Sequence, residues 1–232
     1  MKTKNIDLML SETMAHYEAD QIVQGDYWNS AGQYGCFIGC LTHSDEAQDV
    51  TDKFGIELPL VKLLEGIYEG LPAEESKEFF KAIPTAIGKD GKNLSLVRWA
   101  FLRDTLKALP KQDKEIQAVI DLVIKWMVLL ASGETWPVNA ATNDDIAAIY
   151  AAANSANSSA ANSAANAAYA AANSAVAAAA DAAAYAAYAA NSAADAAADA
   201  AADAAADAAA DAAYADKRRR QAASILDLIK AT

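Results

Sequence analysis

The sequence predicts an all-α protein, a helical head followed by alanine-rich, tightly packed helices. Apolar residues in the first part of the chain recur at the three- and four-residue spacing of helices. We find no segment with the apolar and polar alternation of a half-buried strand. Alanine, the strongest helix former, dominates beyond residue 140. A chain of 232 residues is also long enough to bury a substantial core.

The composition changes near residues 136–139, which divides the chain into a head, residues 1–142, and a tail, residues 143–232. The head should hold about six helices, with loops at residues 24–35 and 84–93. The first helix carries an apolar stripe of Ile6, Met9, Leu10, Met14 and Tyr17. A second apolar helix carries a stripe of Leu60, Leu63, Leu64, Ile67, Tyr68 and Leu71.

Helix boundaries in the head follow from glycine, proline and acidic residues. Gly70 and Pro72 end the second apolar helix. Pro72 and Glu74 suit the first turn of the next helix. In that helix we expect Phe79 and Phe80 to face inward. Two further helices cover residues 94–109 and 116–130. The latter is apolar on most sides, so we expect it to run through the centre of the head.

The tail lacks proline and glycine, so we expect helix there rather than disorder. A single helix over residues 143–216 would be about 110 Å long and would bury little on alanine faces. Several packed helices that break near Asn-Ser pairs are therefore favoured. The last segment, residues 222–229, carries bulky apolar side chains and should return to the core.

Aspartates recur at every fourth position along part of the tail, at Asp195, Asp199, Asp203, Asp207 and Asp211. A four-residue step turns about 400°, so these carboxylates form a slowly winding stripe. We interpret it as a docking surface for a protein partner; the alternatives are a solvated stripe that keeps the helix in solution and mimicry of nucleic-acid phosphates. Mimicry by one helix is weak, because its charges lie about 6 Å apart, against about 1.7 Å in duplex DNA.

The densest group of reactive residues is the run from residue 34 to 45. If this run is helical, Cys36, Cys40 and His43 share one face, and His16 completes the chain's whole cysteine and histidine inventory. These four residues form a candidate zinc site with tetrahedral nitrogen and sulfur ligands. The alternatives are a thiol nucleophile assisted by His43, and a buried helix in which small residues allow close packing.

A second candidate site is a small-molecule pocket. Residues 25–34 are rich in aromatic and amide side chains, which also suit anchoring of the loop to the core. A pocket for a small nucleotide-like ligand would use Trp28, Tyr34, His43, Arg218, Arg219 and Arg220.

Composition excludes several functions. No stretch of about 20 bulky apolar residues is present, and the N-terminus does not resemble a signal peptide, so we expect a cytoplasmic protein and no membrane partner. Two cysteines exclude a disulfide framework. The net charge of −12 argues against direct nucleic-acid binding. No phosphate loop, zincin motif or nucleophile elbow is found, so we expect a non-enzymatic protein without a cofactor, zinc being the one candidate.

The run Gly35-Cys36-x-x-Gly39-Cys40-x-x-His43-Ser44, followed by an alanine-rich tail, resembles a family of alanine-rich proteins of bacteria and their phages. The tail composition is also similar to that of immunity proteins of bacterial toxin systems. Neither resemblance implies a catalytic role. Both imply a gene of a phage or mobile element, and neither supplies a mechanism. Our own expectation is a binding protein that inhibits a bacterial defence or toxin component. Sequestration of a nucleotide-like immune signal in the head is the alternative.

Overall fold

The protein is described by a computed structural model that covers residues 1–111, 114–134 and 207–232. These residues form eight helices and one small hairpin, which confirms the all-α prediction. Seven helices, against the six expected, lie in the first 134 residues. The elements are α1 Ile6–Glu18, β1 Trp28–Asn29, β2 Tyr34–Gly35, α2 Phe37–Thr42, α3 Ala47–Phe54, α4 Leu58–Glu69, α5 Ala73–Ile87, α6 Val97–Lys107, α7 Lys114–Ala131 and α8 Asp207–Lys230.

The chain forms two compact units, one of residues 1–97 with 215–232 and one of residues 98–214. The predicted boundary at residue 142 and the Asn-Ser breaks of the tail lie outside the described residues. Within the first unit, α1 packs on α5, α3 packs on α4, and the short α2 contacts α1, α3 and α4.

Helix α1 is confirmed, but its buried face differs from the predicted stripe. The structure buries Ile6, Met9, Thr13 and His16, whereas Leu10 is exposed. The helix begins where the amide of Ile6 donates to a carboxylate oxygen of Asp90 at 2.8 Å. This partner is 84 residues away along the chain, so local spacing does not reveal the rotation of the helix.

Helices α4 and α5 follow their sequence signals. The predicted apolar stripe of α4 is buried, and α5 begins directly after Pro72, with Glu74 in its first turn. The loop predicted at residues 84–93 is wrong in its first part, because α5 continues through Pro84 to Ile87. Ala86 and Ile87, which follow the proline, are buried. We attribute the continuation of α5 past Pro84 to this burial, because its free energy offsets the loss of the backbone hydrogen bond that proline cannot donate.

The loop predicted at residues 24–35 contains a hairpin that the sequence did not predict. Trp28 pairs with Gly35 and Asn29 with Tyr34 in antiparallel register. Each strand has only two residues, which is too short for an alternating pattern to be visible.

Helix α2 packs against this loop through glycine. A Cβ atom at Gly35 or Gly39 would overlap the backbone carbonyl of Tyr27, so only glycine allows this approach. The same carbonyl accepts a hydrogen bond from the Cys36 amide at 3.1 Å.

In the second unit, α6 and α7 agree with the predicted helices at residues 94–109 and 116–130. Among the α7 side chains whose burial is described, however, only one face is buried. Ile120, Val123, Trp126 and Met127 are buried, whereas Val128 is 43% exposed. Its burial therefore follows one helical face, as expected of an amphipathic helix rather than of one enclosed on all sides.

The return of the chain end to the core is confirmed. Ala222, Ile225 and Ile229 of α8 are buried in the first unit. The Lys92 ammonium group also donates to the Ile229 carbonyl at 3.4 Å.

The Tyr27 contact gives a test of the packing. Gly39→Ala should lower the free energy of unfolding by about 1–3 kcal/mol, because the new methyl group meets backbone that must shift. Gly32→Ala is the matched control, since Gly32 is exposed and its Cβ would meet the side chains of Tyr34 and Asn29 rather than backbone. Urea unfolding of both variants measures the difference. Equal stability of the two variants would contradict the tight packing at Gly39.

Candidate functional site

Three ring systems from separate segments meet in the first unit. His16 lies in the last turn of α1, Trp28 lies in β1, and His43 directly follows α2. The Nε2 atoms of His16 and His43 are 3.2 Å apart. Two of the four residues of the predicted zinc site, which are 27 positions apart in sequence, are therefore in direct contact.

A hydrogen bond fixes the ring orientation of His16. Its Nδ1 lies 2.9 Å from the side-chain oxygen of Gln21. An amide oxygen only accepts, so His16 donates from Nδ1, and in the neutral form of the ring its Nε2 presents a lone pair. With both rings in the neutral form, the donor of this contact is the Nε2 of His43 and the acceptor is the Nε2 of His16. In this assignment the proton between the two rings belongs to His43.

A carboxylate completes the group. Glu12 lies one helical turn before His16 on α1, and one ligand atom from each of Glu12, His16 and His43 lies within 4.8 Å of the others. Glu12 also faces Lys53, whose ammonium nitrogen is 3.6 Å from a Glu12 oxygen. His16 is buried, Glu12 is partly exposed and His43 is exposed, so the group opens to solvent on the His43 side.

His43 owes its position to an unusual backbone conformation. Helix α2 ends at Thr42, and His43 adopts the left-handed conformation with φ 55° while its amide donates to the Gly39 carbonyl at 2.7 Å. A non-glycine residue in this region carries some strain. His43 therefore leaves the helix, and the expected helical face shared with Cys36 and Cys40 does not form.

Trp28 covers the histidine pair. Its ring stacks on His43 with 4.3 Å between ring centroids and an interplanar angle of 25°. It meets His16 edge to face at 5.6 Å. The indole thus shields one side of both imidazoles from water and limits their motion.

The two cysteines are buried in α2 and at its start, and neither belongs to the group of Glu12, His16 and His43. The Cys40 thiol donates to the Gly35 carbonyl at 3.1 Å. Burial raises the pKa of the Cys40 thiol to about 12 and also raises the pKa of Cys36. A reactive cysteine needs a lowered pKa, so these surroundings favour packing over nucleophilic chemistry.

The basic residues of the tail take three different positions. Arg218 is buried, contacts Gln221 at 2.9 Å and packs so closely on Gly70 that a Cβ there would overlap its guanidinium group. Arg219 forms a bidentate ion pair with Glu75 of α5, at 2.7 and 2.8 Å, which lowers the pKa of the Glu75 carboxyl. Arg220 is exposed.

The remaining predicted residues are distributed as follows. Tyr34 is partly buried and its hydroxyl accepts from the Asn29 amide at 3.0 Å. Asp195, Asp199 and Asp203 lie outside the described residues. Asp207 and Asp211 lie in the first two turns of α8, where the structure describes the backbone of the helix.

Two residues of this site, Glu12 and Gln21, were not predicted from the sequence. Glu12 was detectable, because a Glu-x-x-x-His spacing on a predicted helix places both side chains on one face. Gln21 follows the end of α1 in a tight loop, where its amide donates to the His16 carbonyl at 3.0 Å. No spacing rule indicates that contact.

Comparison with protein-family models, with curated proteins and with solved structures finds no match for this chain. Within the described residues, every helix is too short or too polar to cross a lipid bilayer.

The buried thiols give a prediction on reactivity. With a pKa of about 12, only about one Cys40 side chain in ten thousand is a thiolate at pH 8. Alkylation by iodoacetamide at that pH should therefore be slower in the native protein than in guanidinium chloride, by a factor on the order of 100 or more. Mass spectrometry of each cysteine peptide over time measures the rates. Rapid labelling of native Cys40 would contradict its burial.

Proposed function

We propose that this protein is a non-enzymatic binding protein that engages a protein partner through its acidic helical segment, which carries Asp195, Asp199, Asp203, Asp207 and Asp211. The observation that best supports this proposal is the extent of helix α8. This helix includes the last two of these aspartates, and its residues 215–230 are packed into the first unit. Residues 215–230, the part of α8 that follows these aspartates, are thereby held in the first unit.

The anchor of α8 combines apolar and ionic contacts. Ile225 and Ile229 are fully buried, and the Arg219 ion pair with Glu75 adds orientation at the surface. A fixed helix end reduces the conformational entropy that a partner must remove on binding, which favours affinity.

The turn before this anchor is open to solvent. Ala212, Ala213 and Tyr214 are exposed. Burial of alanine contributes little free energy, but its small side chain lets the backbone of a partner approach closely. The carboxylates of the neighbouring aspartates favour a partner with a basic surface. Association driven by these charges should be fast and sensitive to salt.

Two further observations bear on the class of function. The raised pKa values of Cys36 and Cys40 argue against a thiol enzyme. Both thiols are free, as is usual in the cytoplasm, where we place the protein. The resemblance to phage and immunity proteins would make the partner a component of a bacterial defence or toxin system, and this identity stays a prediction.

The alternative, a pocket for a small nucleotide-like signal, draws less support from the described contacts. One face of the Trp28 indole is already stacked on His43, and Arg219 is already paired with Glu75. Arg218 is buried beside Gly70. A ligand would have to displace several of these contacts.

The direct test replaces all five stripe aspartates with asparagine, which has a similar helix propensity. A partner is first crosslinked in the producing cells, identified by mass spectrometry and purified. Its dissociation constant is then measured against both proteins at about 50 mM and about 300 mM salt. At roughly 0.3 kcal/mol for each lost charge contact, affinity should fall about tenfold or more, and the salt dependence should flatten.

A control variant removes the same number of charges from exposed positions in the first unit. It replaces five acidic side chains by their amides, at Asp7, Glu18, Asp45, Glu46 and Asp49. This variant should keep the wild-type affinity. An equal loss of affinity in both variants would show that net charge, and not the stripe, determines binding. An unchanged affinity of the stripe variant would exclude the acidic segment as the binding surface.

A further inference from the structure

The group of Glu12, His16 and His43 involves none of the residues of the acidic segment, so it calls for a separate explanation. Two imidazoles and a carboxylate converge from two distant segments, with their ligand atoms within 4.8 Å of one another. Each of the three has a further contact: His16 with Gln21, His43 with Trp28 and Glu12 with Lys53. Such support is typical of groups that bind a ligand in fixed geometry.

The spacing of the two nitrogens fits a metal ion. Two histidine nitrogens bound to zinc at about 2.0–2.1 Å and at the tetrahedral angle lie about 3.3–3.4 Å apart. The Nε2 atoms of His16 and His43 are 3.2 Å apart. An ion could therefore replace the proton between the rings with a small movement of the side chains.

We propose that Glu12, His16 and His43 bind one divalent transition-metal ion of the zinc class. The donor set of two imidazoles and one carboxylate suits this class of ion, whereas magnesium and calcium prefer oxygen ligands alone. This set differs from the two-cysteine, two-histidine site predicted from the sequence, of which it retains only His16 and His43.

The surroundings of the group supply the features that such a site requires. The Gln21 oxygen accepts from His16 Nδ1 at 2.9 Å, which directs the Nε2 lone pair of His16 towards the ion. His43 must give up its Nε2 proton and carry it on Nδ1, a change of tautomer within the same ring. Metal binding therefore competes with the hydrogen bond between the rings.

Glu12 supplies negative charge next to the two neutral rings. Its contact with Lys53 is long, at 3.6 Å, and a carboxylate has two oxygens, so Glu12 can turn one oxygen to the ion while it still faces Lys53. Because His43 is exposed, a fourth position is open to water or to a ligand from solution. The geometry is that of an open site rather than a closed structural one.

The experiment uses the full chain, purified without a polyhistidine tag and treated with chelator. Zinc is titrated by calorimetry at pH 7 in excess Mg²⁺, which occupies sites that have only carboxylate ligands. We expect one Zn²⁺ per chain. His43→Ala should remove this binding, and Glu12→Gln should weaken it about tenfold or more. Glu18→Gln, on the same helix but outside the group, should bind zinc like the wild type.

Cobalt distinguishes the two ligand sets. Co²⁺ bound by imidazole and carboxylate gives visible absorption, while bound cysteine thiolates add strong charge-transfer bands in the near ultraviolet. We expect the first without the second. Thiolate bands would overturn the proposed ligands in favour of the cysteine site. Retention of zinc by the His43→Ala variant would exclude both ligand sets, because both contain His43.

Folding of each variant is checked by circular dichroism. His43 and Glu12 are at least partly exposed, so their replacement should leave the helices intact. His16 is buried, and His16→Gln is used because it keeps a polar side chain of similar length. This variant should also lose zinc. Failure of the folded wild-type protein to bind one zinc ion would overturn the proposal, whatever the outcome for the acidic segment.

Discussion

The approach of the Tyr27 carbonyl to α2 is the constraint on which the first unit depends. That carbonyl accepts from the Cys36 amide and lies where a side chain at Gly35 or Gly39 would otherwise be. The contact fixes the hairpin against the start of α2. Trp28, the next residue, is thereby brought over His43 at the other end of the same helix.

The rest of the loop is held just as firmly by hydrogen bonds. The Tyr68 hydroxyl donates to the Val23 carbonyl at 2.6 Å, and the Gln24 amide donates to the carbonyls of Tyr68 and Leu71 at 2.8 and 2.9 Å. These bonds satisfy backbone groups that would be costly to bury unpaired. These bonds hold the start of the loop against the end of α4, while residues 30–33 are exposed. The loop positions one side of the histidine group, and α1 positions the other.

The sequence predicted the helices well, because apolar periodicity and proline and glycine boundaries are local signals. Helix α4, from its apolar stripe to its end at Gly70, and the burial of Ile225 and Ile229 were all visible in this way. Long-range contacts were not. The Asp90 cap that starts α1, the hairpin partners and the left-handed turn at His43 depend on residues that meet only in the folded chain.

The candidate site shows the same division. Cys36, Cys40 and His43 were grouped from the sequence by assuming one continuous helix, and His16 was added because it completes the chain's cysteine and histidine inventory. The end of α2 at Thr42 separates His43 from that face, and Glu12 takes part instead. For the acidic stripe, the periodicity of aspartate remains the main evidence, and the structure adds the anchored helix that carries its last two members.

The most direct test of this arrangement is a measurement of the two histidine tautomers. The chain has only two histidines, so nitrogen-15 NMR of the metal-free protein at about pH 8, where imidazoles are mostly neutral, gives a simple spectrum. The structure predicts His16 protonated on Nδ1, His43 protonated on Nε2, and a through-space contact from both rings to the Trp28 indole. Two rapidly exchanging tautomers without contact to Trp28 would contradict the positioning of the histidines by the loop.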